Sequence, residues 1–194
     1  GVNKSHPDLS GKVILEKCYC SSSPPSRLSN CCADGSAEEN SALDWNGHGT
    51  HVAGIISANG STRGVAPDSK IVAVRVFSAS DEVAYDDDII AGIDFCVSNS
   101  VAYNISVISM SLGGGLYNNY CDTEESSFAA SINAAIAKNI SVIVASGNDG
   151  NMTAIAAPAC IENATSVGDT YDANVGGLTW AGVCTDSSTY ADKI

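Results

Sequence analysis

Positive charge is scarce in this chain: 9 Lys and Arg stand against 22 Asp and Glu, for a formal net charge of −13. A nucleic-acid partner needs clustered cations facing the phosphate backbone, so that class is set aside. Acidity of this kind speaks to solubility and to the attraction of cations. No apolar run approaches the roughly 20 residues that a helical membrane span requires. The 8 cysteines include no Cys-x-x-Cys pair, which argues against zinc and for disulfides made in an oxidising, extracellular-type compartment. No Gly-Lys-Ser/Thr follows the glycines at 113–115, so they do not form a nucleotide P-loop. His48 and His51 lack the glutamate of a His-Glu-x-x-His zinc protease, and that metal chemistry fails with it.

What is present fits one globular domain. The length is 194 residues with 44% hydrophobic content, enough for one substantial core in a monomer. Buried-type strands are expected at 71–77, 105–111 and 140–145, with a fourth ending near 166–168. Between them lie helical stretches. One opens on Asp86-Asp87-Asp88, where negative charge suits a helix N-terminus, and another runs from a capping box at Asp122 and Glu125 through Ala137. Strands alternating with helices predict an α/β, doubly wound parallel sheet with ligands at the carboxyl ends of its strands. Residues from about 18 to 46 break the pattern as a polar insertion holding Cys18, Cys20, Cys31 and Cys32. Stapling by disulfides is the main reading there, with three pairings open and a metal knuckle as the alternative.

The chemistry concentrates in Asn46-Gly47-His48-Gly49-Thr50-His51-Val52-Ala53-Gly54. Asn46 and the glycines mark a turn, after which Val52, Ile55 and Ile56 supply an apolar helical face. His48 then stands at a helix start with its ring outward, able to move a proton near neutral pH. As an isolated residue it would be no more than a polar turn histidine.

The nonamer as a whole resembles the histidine motif of the subtilisin-like serine proteases, the subtilases. Three further stretches match that family in order. These are Gly64-Val65-Ala66-Pro67 leading into Lys70-Ile71-Val72-Ala73-Val74-Arg75-Val76; Ser109-Met110-Ser111-Leu112-Gly113-Gly114; and Val142-Ile143-Val144-Ala145-Ser146-Gly147-Asn148-Asp149-Gly150. The resemblance implies a three-layer, subtilisin-like sheet with helices on both faces, and serine endopeptidase activity through an Asp/His/Ser triad. It makes His48 the general base and Asn148 the oxyanion donor. Ser111, Leu112, Gly113 and Gly114 would wall a cleft for an extended peptide, with Ala145, Ser146 and Gly147 edging the first specificity pocket. Asp149 would sit at that pocket's rim and favour a basic side chain. Without the family, Asn148 reads as a turn residue beside two glycines.

The segment from Gly1 to Leu9 resembles the one that follows the catalytic aspartate, with Gly1 as the last residue of the family's Asp-(Ser/Thr)-Gly. Asp8 matches a position that often ligates a structural calcium; the plain alternative is a solvated turn aspartate after Pro7. No cofactor is implied for the chemistry itself. The family's Gly-Thr-Ser-Met-Ala nucleophile motif does not occur, and Ser187, Ser188 and Thr189 lie in an unrelated context. The chain therefore reads as part of a secreted subtilase catalytic domain, without the acid or the nucleophile and so inactive alone. The alternative is a non-catalytic relative that binds extended peptides. Within the stretch before the missing motif, Cys160 and Cys184 are a candidate local bridge. Asn-x-Ser/Thr sequons at Asn3, Asn59, Asn104, Asn139, Asn151 and Asn163 matter only in a host that glycosylates.

Overall fold

The computed structural model describes residues 1–21, 32–78 and 83–169, with the backbone of two further strands at 178–180 and 184–186. The chain divides into two compact units, Gly1–Tyr103 and Asn104–Ile194. Both are built from parallel strands and helices, which makes an incomplete α/β fold.

In the first unit β1 (Val13–Tyr19) lies between β2 (Glu38–Glu39) and β3 (Ile71–Arg75). β1 and β3 run parallel, from Val13 opposite Ile71 to Cys18 opposite Arg75. α1 (His48–Ser57) follows β2, and α2 (Asp86–Tyr103) follows β3 and packs on β1 and β3. The three aspartates do open α2, as expected of negative charge at a helix N-terminus. Asp88 also accepts hydrogen bonds from the Ser21 amide and hydroxyl, tying that helix start to the end of β1. Val2, Leu9, Ala42, Ala53, Ala58 and Ala73 form one buried apolar cluster of this unit.

Two expectations need correction here. The buried face of α1 is Ala53 and Ser57, one turn apart, whereas Ile55 is 56% exposed. Small side chains let α1 sit close to the segment before β1, and the larger apolar residues are left outside. β3 also stops short, at Arg75, whose Nε turns to donate to the Phe77 carbonyl at 3.0 Å.

The insertion is stapled. Cys18, on β1, is bonded to Cys32, and Cys20 is disulfide-bonded too; all three are buried. Those three sulfurs are thus held in disulfides rather than by a metal. Cys31 lies outside the described residues.

The second unit begins with β4 (Val107–Met110) and β5 (Gly114–Tyr117), followed by α3 (Ser126–Ile136). Then come β6 (Ser141–Ala145), β7 (Ile155–Ala157) and β8 (Thr165–Val167). β4, β6 and β8 make a parallel sheet with β6 in the middle, while β5 pairs antiparallel with β7. α3 packs on β6 through Phe128, Ile132 and Ala135, spaced four and three residues apart on one face. Burying each of the two larger side chains contributes roughly 1.5–3 kcal/mol. β9 (Leu178–Trp180) and β10 (Cys184–Asp186) form an antiparallel pair.

The capping box is not made. Glu125 is the N-cap of α3 but gives no side-chain cap; its Oε1 instead accepts from the Tyr117 hydroxyl, and Asp122 accepts from the Glu162 amide. Cys160 pairs with Cys121, not with Cys184. The Cys121 amide also donates to the Cys160 carbonyl at 3.1 Å.

Candidate active site

His48 is the first residue of α1 and is exposed. Gly47 before it is the N-cap with φ +97, a left-handed conformation that glycine adopts without steric cost. It gives no side-chain cap, so the first helical N–H groups need another acceptor. Asp44 supplies it. Its Oδ1 accepts from the amides of Asn46 (3.0 Å) and Gly47 (2.8 Å), and its Oδ2 from the Thr50 amide (2.9 Å) and the Thr50 hydroxyl. The His48 amide is met by Asn46 Oδ1 at 3.2 Å.

Burial is the largest single influence on the Asp44 carboxyl and works against its charge. The bonds from the Thr50 side chain and from the Gly47, Thr50 and Asn46 amides together outweigh it, and hold the pKa at about 2. Asp44 therefore stays ionised at any working pH. Arg75 supports the same turn from its other side. Its Nη1 donates to the Leu43 carbonyl at 3.1 Å, and its guanidinium stacks 4.4 Å from the centre of the Trp45 ring.

The start of the chain lies against this helix. The Asn3 amide donates to Thr50 Oγ1 at 2.8 Å and the Val2 amide to the Ala42 carbonyl at 2.7 Å. A Cβ on Gly49 would fall 2.0 Å from the Gly1 carbonyl oxygen, so position 49 must be glycine for the two backbones to touch. The residue after His48 thus abuts Gly1. His51, one turn along, is exposed as well.

Asn148 belongs to the second unit, three residues past the end of β6, and is exposed. Backbone bonds set its turn: the Ser146 amide donates to the Val167 carbonyl (2.9 Å), and the Ala156 amide to the Ser146 carbonyl (2.8 Å). Ser111, Leu112 and Gly113 connect β4 to β5, and Gly114 starts β5 opposite Ala157. The buried methyl of Ala156 lies between Gly113 and Gly147, within 2.9 and 3.1 Å of where their Cβ atoms would be. Two stretches named from sequence, 111–114 and 145–147, are thereby brought side by side. Next to them is a cavity of about 40 Å³ lined by Leu116, Ser146, Gly147, Asp149, Asn151 and Ala154 among others.

Asp8 is held in a cradle of donors. Oδ1 accepts from the Ser61 amide (2.9 Å) and Oδ2 from the Thr62 amide (3.0 Å), with the Ser61 hydroxyl within reach of both. These bonds, the Thr62 amide foremost, hold its pKa below the usual carboxylate range. Amide donors suit an anion and repel a cation. No group of three or more His, Cys, Asp or Glu among the described residues could hold a metal. Both Asp8 oxygens are thus taken up by the Ser61 and Thr62 donors.

Asp44, Thr50 and Ala156 escaped the sequence reading. An aspartate two residues before Asn46-Gly47 was the available signal for the first. Ala156 offered none, because its place between two glycines depends on how β5 pairs with β7. Ser187, Ser188 and Thr189 lie outside the described residues.

The first unit thus presents an exposed histidine at a helix start, and the second an exposed asparagine beyond a strand end. The subtilase family model matches residues 1–192, and the chain belongs to that family. It is 33% identical to the alkaline proteinase of Hapsidospora chrysogena, over 87% of this chain and 35% of that protein. Thermitase of Thermoactinomyces vulgaris is 35% identical over 88% of this chain and 52% of its own length. The major intracellular serine protease of Bacillus subtilis is 31% identical over 78% and 41%. Among solved structures, a protease of Pseudoalteromonas arctica superposes with a TM-score of 0.72 at 27% identity, covering 87% of this chain and 53% of that one. The chain thus spans between about a third and a half of these curated relatives.

Proposed function

We propose that the parent polypeptide is a serine endopeptidase in which His48 is the general base and Asn148 the oxyanion donor. The observation that carries this is the His48 turn: an exposed imidazole on a helix start whose backbone is fixed by an ionised, half-buried carboxylate. A group that must pick up and return a proton in one place needs such a mount. His48 takes the serine proton as the hydroxyl oxygen attacks the peptide carbonyl carbon, then gives it to the leaving amine. The Asn148 amide donates to the oxygen that becomes negative in that step.

Substrate enters as an extended strand beside 111–114, where backbone groups supply affinity with little demand on sequence. Ala145, Ser146 and Gly147 border the first pocket, and Asp149 at its rim favours Lys or Arg. The serine and the orienting aspartate come from parts of the parent outside residues 1–194, so these residues alone do not turn over peptide. Calcium is no part of this reading at Asp8. Disulfides at Cys18, Cys20, Cys121 and Cys160 support a secreted protein.

The test is hydrolysis of an unfolded protein substrate by the purified parent, its His48→Ala variant and residues 1–194. Cleavage by the first alone supports the proposal. Peptide binding without cleavage by the parent would replace it with a non-catalytic relative.

A further inference from the structure

We propose that Asp44 and Thr50 act together as positioning residues that fix His48 relative to the segment Gly1–Asn3. The proposal deepens the reading of His48 as base and rests on it. Three pieces of chain meet at the Thr50 hydroxyl. It donates to Asp44 Oδ2, at the head of the turn before His48, and accepts from the Asn3 amide at 2.8 Å. Its own amide donates to the same carboxylate oxygen, at 2.9 Å. The other carboxylate oxygen takes the amides of Asn46 and Gly47, the two residues before the histidine.

One carboxylate and one hydroxyl therefore connect the turn before His48, the first turn of α1 and the segment Gly1–Asn3. The contact of Gly49 with Gly1 sets how near the segment Gly1–Asn3 approaches, and the Thr50 hydroxyl holds it at Asn3. Neither Asp44 nor Thr50 needs to touch substrate. Their effect passes through the place of the imidazole, where an error of about 1 Å costs on the order of 100-fold in rate.

The experiment uses the full-length parent with Asp44→Ala, Asp44→Asn, Thr50→Val and Thr50→Ser. Folded protein is confirmed by circular dichroism, and kcat and KM are measured separately. The His48 ring is followed by NMR on histidine-labelled protein, assigned with His48→Gln. Asp44→Ala should lower kcat on the order of 10- to 100-fold while KM moves about threefold or less. Asp44→Asn, which keeps acceptors but no charge, should fall between. Thr50→Val should lower kcat about tenfold, and Thr50→Ser should restore it, since the serine keeps the hydroxyl.

Unchanged kcat in folded Asp44→Ala, or no difference between Thr50→Val and Thr50→Ser, would overturn the proposal. If Asp44→Ala does not fold, the Thr50 pair decides. If the parent itself cleaves nothing, the endopeptidase reading fails and the ring signal decides alone. A shifted or broadened His48 resonance in the variants then upholds the positioning role, and an unmoved one ends it.

Discussion

The two units hold their proposed functional residues by different means. In the first, His48 sits on a turn fixed by side chains: Asp44 gathers three amides and a hydroxyl, and Arg75 holds the Leu43 carbonyl. In the second, Asn148 sits past a strand end fixed by backbone, with Ser146 bonded to Val167 and Ala156 to Ser146. A base must hold its place while its charge changes, and a charged, polar mount provides that. An oxyanion donor stays neutral throughout, so the stiffness of a sheet suffices.

Removing each group in the parent separates the two roles by the largest effect. His48→Ala should lower kcat on the order of 10⁶-fold, and Asn148→Ala about 100- to 1000-fold with KM little changed; both magnitudes are those measured in subtilisin, a member of this same family. Equal losses from the two changes would contradict a base and a donor in distinct roles.

Next is stability. The Cys121–Cys160 bridge spans 39 residues and Cys18–Cys32 spans 14. Loop-closure entropy gives roughly 4 kcal/mol for the longer and roughly 3 for the shorter. Replacing each pair by alanine should therefore lower the urea midpoint more for the second unit's bridge than for the first's. The reverse order would mean that the insertion around β2 depends on its staple more than loop length implies.

These outcomes bear on how much the sequence disclosed. The four motifs were legible because each is a local pattern: glycines around His48, an apolar run before Ser146-Gly147-Asn148, a glycine run after Ser111. β3, β4 and β6 followed from apolar runs of strand length, β8 from the end expected near 166–168, and α2 from its aspartates. What stayed hidden was tertiary. Asp122 and Glu125 have capping-box spacing, but Glu162 and Tyr117, distant or on another strand, claim them. Cys160 looked free for Cys184 by proximity in sequence, and only the fold places Cys121 against it. Asp44 is six residues from Thr50, a distance no capping rule covers, because the turn at Gly47 doubles the chain back. The face of α1 was misread since periodicity counts large apolar residues, whereas close packing there selected Ala53 and Ser57.

A smaller effect follows from acid. The Asp44 pKa is depressed from 3.8 to about 2, so its contribution is fully present above the unfolded value and disappears as pH falls through about 2. With allowance for solvent screening it is worth roughly 1 kcal/mol. Urea midpoints of wild type and Asp44→Asn should differ at pH 5 and converge near pH 2. A constant difference across that range would remove the ionised mount.

The smallest effect is on reactivity. Cys96 is a buried free thiol whose pKa burial raises to about 11, so it carries little thiolate at neutral pH. Alkylation mapped by mass spectrometry should leave Cys96 unmodified until denaturant is added. Rapid native labelling would show that α2 opens locally from β1 and β3.

The most direct measurement is labelling of the parent polypeptide by a fluorophosphonate probe, with and without His48→Ala. Labelling that disappears in the variant is what a serine nucleophile served by His48 predicts. Absence of labelling in folded wild-type parent that still binds an extended peptide would contradict the central claim and make the cleft a binding site only.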